Sequence, residues 1–300
     1  METELDRNIL AAAAEKLSAA ADEIADITPL KKGLTNRSYL FSCREKRYIL
    51  RVPGEGTDKL VDHAQEAAVY AAISGKGLCD DPIWLDPTTG CKLTVYRDGA
   101  RTCSDRLDVR SCMAKLRAFH AMRLQVEHTF DLFGQIDFYE SLRNGTPSAY
   151  EDYAETKANV LRLRPYIEKT TEPFCLTHID AVPDNFLISK NELGEEQIQM
   201  IDWEYAGMQD PHLDVAMFIL YSGYDRRQAD DLIDLYFQDN CDRQTRVKLY
   251  CYIAAGGLLW SNWCEYKKSL GVCFGAYARR QYQYAKEYSA LALNEWKEGL

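Results

Sequence analysis

The alternation of apolar and polar residues in the first hundred positions predicts a small lobe rich in strands. Residues 36–43 and 46–52 are short β-branched or aromatic runs separated by two charged residues, which is typical of an antiparallel hairpin. Residues 61–73 have helical spacing, and residues 92–96 predict a further strand. Together with an Ala-rich opening helix, this pattern predicts a first domain that comprises residues 1–97.

The remaining positions predict a second, mostly helical domain over residues 98–300. Apolar residues at positions i, i+3, i+4, i+7 and i+10 mark one face of a buried helix. They are Val109, Cys112, Met113, Leu116 and Phe119. Three short runs, 174–177, 186–188 and 198–201, predict one β island, and helices resume after Pro211. The expected fold class is α+β, with an antiparallel sheet in the small lobe and helices in the larger one.

Composition and charge narrow the class of protein. Hydrophobic residues make up 46% of the 300 residues and charged residues 27%, which is typical of a globular protein and excludes disordered and low-complexity classes. The net charge of −10 disfavours a nucleic-acid partner, because a protein that follows the phosphate backbone needs excess positive charge. An acidic protein is compatible with cationic small molecules.

Cysteine spacing and terminal patterning indicate where the protein works. The ten cysteines include no CxxC pair and no pairing of the kind that a zinc site or a redox motif needs, so neither is predicted. The first residues lack a basic segment ahead of an apolar run, and the most apolar run, 251–260, is about half the roughly 20 residues that cross a bilayer. We therefore expect a reduced, soluble, cytoplasmic protein with no membrane partner.

A polar loop inside the predicted β island combines groups that suit phosphoryl transfer. Asp180 precedes Asn185 by five positions, and Asp202 follows Asn185 by seventeen at the end of a predicted strand. Phosphoryl transfer uses a carboxylate near the acceptor hydroxyl, together with an amide oxygen and a second carboxylate on Mg²⁺. Asp180 is the candidate catalytic residue, and Asn185 and Asp202 are the candidate metal ligands. Each aspartate taken alone could instead be a turn former.

The residues around this loop resemble a known family. Residues 178–185 (HIDAVPDN), residues 201–207 (IDWEYAG) and Asp214 resemble the choline kinase branch of the kinase-like phosphotransferases, which also includes aminoglycoside phosphotransferases. Residues 33–36 and 48–57 are similar to the nucleotide loop and third strand of bacterial choline kinases. The resemblance covers most of the chain. It implies a two-lobed protein-kinase-like fold with ATP and Mg²⁺ as cofactors.

The chain departs from protein kinases at several points. It has no G-x-G-x-x-G loop, the strand lysine is replaced by Arg51, and Asp-Phe-Gly is replaced by Asp202-Trp203-Glu204. Protein substrates are therefore disfavoured.

The nucleotide side of the predicted site has two parts. Glycine and hydroxyl or amide residues in a strand-joining loop can cover a triphosphate, and the end of the strand at 92–96 would form the adenine-side hinge. A basic residue would contact the α- and β-phosphates and pair with a carboxylate on an otherwise apolar helical stripe. The residues are Gly33, Thr35 and Asn36 in the loop, Tyr96 at the hinge, and the pair Arg51 and Glu66.

The acceptor side is predicted from aromatic residues. A quaternary ammonium has no N–H to donate, so a site selects it with aromatic faces and a nearby carboxylate. The resemblance maps an aromatic wall onto Trp260 and Trp263, with Tyr205, Tyr221 and Tyr224 as further members. Core packing is the competing interpretation for each ring. Glu204 would attract the ammonium or hold a magnesium-bound water, and these two roles stay open.

Three further residues flank the catalytic loop. His178 is predicted to brace the loop, Asp184 to be an exposed loop carboxylate, and Asp214 to support the loop from a helix start. The predicted activity is ATP-dependent phosphorylation of choline to phosphocholine. Ethanolamine or an aminoglycoside as acceptor, and a non-catalytic nucleotide-binding protein, remain alternatives. The sequence does not predict an oligomeric state.

Overall fold

The structure is a computed structural model that describes residues 7–30, 36–54, 60–191 and 193–298. In chain order its elements are α1 (Arg7–Lys16), β1 (Ile24–Pro29), β2 (Asn36–Cys43), β3 (Lys46–Pro53), α2 (His63–Ile73), β4 (Trp84–Leu85), β5 (Lys92–Val95), β6 (Arg101–Thr102), α3 (Arg106–Ala121), α4 (Leu132–Ser141), α5 (Tyr153–Leu161), α6 (Arg164–Thr170), β7 (Cys175–Thr177), β8 (Phe186–Lys190), β9 (Glu196–Met200), β10 (Gly207–Gln209), α7 (His212–Ser222), α8 (Arg226–Phe237), α9 (Arg243–Ser269) and α10 (Ala276–Glu298).

The chain divides into two compact units. The first comprises residues 1–103 and 185–205, and the second comprises residues 104–184 and 206–300. Compared with the predicted boundary at residue 97, the first unit also takes in the segment 185–205. Each unit is described by itself below.

The first unit contains a five-stranded antiparallel sheet. Its strand order is β1-β2-β3-β5-β4, and the predicted hairpin of β2 and β3 is confirmed, with Cys43 paired to Lys46 across the turn. Alternate residues of these strands point to one face, where Phe41, Leu50 and Leu93 pack beside α1. The apolar alternation noted in the sequence is this buried face.

A second sheet in the first unit contains the hairpin β8–β9. β6, β8 and β9 pair antiparallel, with Phe186 opposite Met200. The main-chain N–H of Ile201 donates to the carbonyl of Asn185 at 2.9 Å. The residues that precede β8 and follow β9 therefore lie at the same end of the hairpin.

The predicted β island is divided between two sheets. β7 pairs with β10 in a separate two-stranded sheet of the second unit, and not with β8 or β9. β10 has three residues and no β-branched side chain, so its sequence carries no strand pattern.

The second unit is helical and centres on α9. Helix α9 is buried along most of its length and packs against α4, α7 and α10, because its apolar residues cover all of its faces. At Gly257 the backbones of α9 and α10 meet closely. A Cβ there would lie 2.7 Å from the carbonyl oxygen of Gln281 and 2.9 Å from the nitrogen of Ala285.

The remaining predictions about elements can be checked in this unit. The buried face predicted around Met113 belongs to α3, which begins after the N-cap Asp105, whose carboxylate accepts from the main chain of Leu107 and Asp108. All ten cysteines are free. None of the helices within the described ranges is long and apolar enough to cross a membrane.

Candidate active site

Arg51 and Glu66 form the buried ion pair that the sequence predicts. Arg51 on β3 donates from Nη1 to Oε1 of Glu66 at 2.7 Å and from Nη2 to Oε2 at 2.6 Å. Arg51 is 6% exposed and Glu66 1%. Burial alone would lower the pKa of the guanidinium, but the charge and hydrogen bonds of Glu66 raise it overall. The pairing is confirmed, whereas a role for Arg51 in nucleotide binding stays a prediction.

Two more carboxylates lie beside this pair. Nη1 of Arg51 is 3.4 Å from Oδ1 of Asp202 and 3.9 Å from Oε2 of Glu204. Burial, and then the charge of Asp202, raise the pKa of Glu204 to about 8, although Arg51 opposes this shift. Because the one guanidinium of Arg51 faces both Glu66 and Asp202, the cluster carries an excess of negative charge even when Glu204 is protonated.

This cluster fits a divalent cation. The hairpin brings Asn185 next to Ile201, one residue before Asp202, so an amide oxygen and a carboxylate flank the same end of β8 and β9. Across the described ranges no three His, Cys, Asp or Glu side chains form a metal cluster. Mg²⁺ needs fewer protein ligands, since it binds one or two carboxylates together with substrate phosphates and water. Asn185 and Asp202 could therefore hold Mg²⁺ with a nucleotide.

The other predicted nucleotide residues are placed differently. Gly33 and Thr35 lie outside the described residues. Asn36 begins β2, is buried and donates from Nδ2 to Oε2 of Glu204 at 2.7 Å. Tyr96 follows β5, where its main-chain N–H donates to the carbonyl of Arg47 at 2.9 Å and the Arg47 guanidinium lies 4.5 Å from its ring centre.

In the second unit, Asp214 braces the loop that carries Asp180, as predicted. From the first turn of α7, Oδ2 of Asp214 accepts from the main-chain N–H of His178 at 2.9 Å, and Oδ1 accepts from that of Ile179 at 2.7 Å. Ile179 has φ of +68°, which a β-branched residue adopts only under constraint. The two hydrogen bonds hold this strained backbone, and so they fix the direction in which the next residue, Asp180, leaves the loop.

His120 completes the brace and was missed in the sequence. Its Nε2 lies 2.9 Å from Oδ2 of Asp214, and its Nδ1 lies 2.7 Å from the hydroxyl of Tyr236. The available signal was position: His120 follows Leu116 by four residues and therefore shares the buried face of α3. A polar group on such a face needs a buried partner.

The aromatic residues of the second unit form a continuous row. The ring centres of Trp260 and Trp263 are 6.0 Å apart, in edge-to-face contact. Trp263 lies 5.0 Å from Phe274, Phe274 lies 6.3 Å from Tyr277, and Tyr277 lies 6.0 Å from Tyr221. We call these five residues the aromatic row. Phe274 and Tyr277 were missed: Phe274 lies in the segment before α10, and Tyr277 lies in the first turn of that helix.

Individual members of the row have further contacts. The indole N–H of Trp260 donates to Sδ of Met217 at 3.1 Å. The ammonium of Lys267 lies 5.4 Å from the ring centre of Trp263, so this ring already faces one cation. Whether these indoles contact an acceptor stays a prediction.

Two carboxylates lie at the Tyr221 end of the row. The Tyr221 hydroxyl donates to Oδ2 of Asp184 at 2.6 Å, and Asp184 is exposed, as predicted. Burial, Asp184 and then the charge of Asp180 raise the pKa of Tyr221. Asp180 also contributes to the raised pKa of Tyr277, which is mainly due to burial. The charge of Asp180 therefore acts on both phenols.

The last two predicted acceptor residues are Tyr224 and Tyr205. Tyr224 is half-buried, and its main-chain carbonyl accepts from Nη2 of Arg280 at 2.9 Å and from the Tyr284 hydroxyl at 2.5 Å. Tyr205 is half-buried next to Glu204 in the first unit, which is not the unit that contains the aromatic row.

Comparison with known proteins places the chain in a family. The model of the phosphotransferase enzyme family matches residues 26–250. Protein LicA of Haemophilus influenzae is 27% identical over 265 residues, which cover 83% of this chain and 76% of that protein. The crystal structure of choline kinase LicA from Streptococcus pneumoniae is 26% identical, with a TM-score of 0.78 and coverage of 95% of this chain and 98% of that one.

A structure of LicA in complex with AMP is 27% identical, with a TM-score of 0.77 and the same coverage of both chains. These likenesses confirm the predicted α+β, kinase-like fold. Because the family model matches more than half of its residues, the chain belongs to the phosphotransferase enzyme family, as a small-molecule kinase similar to choline kinases.

Proposed function

We propose that this kinase transfers the γ-phosphoryl group of ATP to the hydroxyl of choline, which gives phosphocholine and ADP. The observation that carries the proposal is the aromatic row, in which Tyr221 contacts Tyr277 and donates a hydrogen bond to Asp184. Aromatic faces and a carboxylate are the groups that bind a quaternary ammonium, at about 0.5 to 2 kcal/mol for each cation–π contact. The likeness to choline kinase LicA supports the same acceptor, and the LicA complex with AMP supports an adenine nucleotide.

The reaction gives a role to the charged residues of both units. Asp180 orients the choline hydroxyl and accepts its proton as the oxygen attacks the γ-phosphorus. Asn185 and Asp202 would hold Mg²⁺, whose charge offsets that of the phosphates when it is bound. Arg51, held by Glu66, contacts the phosphates. The braced loop at Ile179 keeps Asp180 in one direction, so less ordering is needed during the reaction.

Polyamine acceptors fit these groups less well. An aminoglycoside carries several ammonium groups, and their N–H donors need several carboxylates with free oxygens. The nearest carboxylate along α9, Glu265, accepts from Nη1 of Arg143 at 2.6 Å, from the Ser148 hydroxyl at 3.0 Å and from the Ala149 N–H at 2.7 Å. Its oxygens are therefore committed to the protein. Every predicted catalytic position carries a suitable residue, which disfavours a non-catalytic role.

Steady-state kinetics over choline, ethanolamine and kanamycin test this proposal. We expect the highest kcat/KM for choline, loss of turnover when EDTA removes divalent ions, and a kcat lowered by about 10²–10⁴ in Asp180→Asn with an unchanged KM for ATP. Glu155→Gln, which removes an exposed carboxylate of α5, serves as the control. A higher kcat/KM for ethanolamine or kanamycin would overturn the choice of choline, and normal turnover in Asp180→Asn would overturn the assigned mechanism.

A further inference from the structure

Asp184 is an exposed carboxylate with an unusual environment. It lies in a short 3₁₀ turn, Pro183–Asn185, and one of its oxygens accepts from the Tyr221 hydroxyl. Among the described residues, it makes no other hydrogen bond and no ion pair with a basic group. Oδ1 and most of the negative charge of Asp184 are therefore left for a molecule other than the protein.

The surroundings of Asp184 are aromatic. Tyr221, which is 39% exposed, has its ring centre 6.0 Å from that of Tyr277. Asp180, the candidate catalytic residue, acts on both phenols. A cation that approaches the exposed end of the aromatic row thus meets aromatic faces and the charge of Asp184 together.

The hydrogen bond from Tyr221 gives the carboxylate a fixed direction. A free aspartate on a surface loop samples several rotamers and loses this freedom when it binds a cation. The bond at 2.6 Å limits this freedom before any ligand arrives, and it leaves the second carboxylate oxygen open. Asp184 would therefore meet a cation with a smaller entropy cost than an unrestrained side chain.

We propose that Asp184, oriented by the hydroxyl of Tyr221, attracts the cationic group of the acceptor and makes the enzyme select cationic over neutral alcohols. This inference rests on the proposed function, because it assigns the counter-charge of the same acceptor. It adds to that function the residue that makes binding depend on the charge of the acceptor and not only on its shape.

A pair of ligands with the same shape isolates the effect of charge. Choline and 3,3-dimethylbutan-1-ol differ at one atom, since a neutral carbon replaces the charged nitrogen. We would measure the dissociation constants of both by calorimetry, and both KM values, in the wild type, Asp184→Asn, Tyr221→Phe and the control Glu155→Gln. Asp184→Asn keeps the size of the side chain and removes its charge, and Glu155→Gln makes the same change elsewhere in the second unit.

We expect choline to bind Asp184→Asn about fivefold more weakly, which is the upper end of the range for one exposed ion pair, while the neutral alcohol binds as before. Tyr221→Phe should weaken choline about twofold to threefold, because the ring remains and only the orienting hydroxyl is lost. Glu155→Gln should change neither ligand. The KM for ATP should stay constant in all variants.

The outcomes separate this inference from the proposed function. Equal weakening of choline and the neutral alcohol in Asp184→Asn, or no weakening of either, would overturn the role of Asp184 even if choline is phosphorylated. If choline instead binds in an Asp184-dependent way but is never phosphorylated, the proposed function fails and the role of Asp184 stands.

Discussion

The buried pair of Arg51 and Glu66 allows a prediction whose size follows from its geometry. Glu66→Gln keeps the shape of the side chain but removes its charge, so one of the two guanidinium N–H groups faces an amide instead of a carboxylate oxygen. Hydrogen bonds to charged groups contribute about 1.5 to 3 kcal/mol each, and the loss of one partner of a buried pair costs about 3 to 5 kcal/mol.

The carboxylates that remain beside Arg51 determine how much stability Glu66→Gln loses within the range of about 3 to 5 kcal/mol. Asp202 and Glu204 still compensate Arg51, at 3.4 and 3.9 Å, and they gain from the loss of a neighbouring negative charge. We therefore expect the free energy of unfolding to fall by about 3 kcal/mol, at the lower end of that range. The KM for ATP should rise, because Arg51 loses the group that holds it in place.

Urea unfolding followed by tryptophan fluorescence measures this loss. The matched control is Glu168→Gln, which removes an i, i+4 pair with Arg164 at 2.7 Å whose side chains are both more than half exposed. Such a pair contributes about 0.3 to 0.5 kcal/mol. If the two variants lose the same free energy of unfolding, burial does not strengthen the Arg51–Glu66 pair and the reasoning is refuted.

Two further predictions concern the second unit. Asp214→Asn offers one acceptor oxygen where the main-chain N–H groups of His178 and Ile179 need two, so kcat should fall about 10- to 100-fold with little change in either KM; an unchanged kcat would show that the brace does not position Asp180. Burial, followed by the charges of Lys248 and His120, lowers the pKa of His212 to about 4, although Asp210 opposes this shift. Below about pH 6.5 the unfolded chain gains a proton that native His212 does not, so the free energy of unfolding falls as the pH decreases from about 6.5 to 4. Thermal unfolding across this range should show a smaller fall in His212→Gln, and equal slopes would assign the effect to another group.

Much of the fold follows from local pattern. The hairpin of β2 and β3 was predictable because two charged residues separate two apolar runs, and α3 because its apolar residues recur at helical spacing. Local pattern does not determine which strands pair. β7 lies beside β10, some thirty residues away in the chain, and β4 and β6 have two residues each, which is too short for any periodicity.

The candidate site likewise combines residues that local sequence indicates with residues that only the packing of the fold brings together. Asp180, Asn185 and Asp202 could be proposed from the sequence because their spacing along one loop and hairpin suits phosphoryl transfer, and their roles stay predictions. The contact of His120 with Asp214 joins residues 94 positions apart, and it depends on how α3 packs in the folded chain. Phe274 was missed for a similar reason, since its ring meets Trp263 only after the chain turns between α9 and α10.

Gly257 affects the distances between rings of the aromatic row, although it contributes no ring itself. It lies three residues before Trp260 on α9, and a methyl group at this position would collide with the main chain of α10 at Gln281 and Ala285. Tyr277 is carried by that helix, so any displacement of α10 changes the separation between the phenol and the indoles. The separation between Tyr277 and the two indoles therefore depends on Gly257, because the lack of a Cβ there lets α9 and α10 pack closely. For the proposed acceptor site, a substitution at Gly257 would therefore be a way to change the range of acceptors without replacing any aromatic residue of the row.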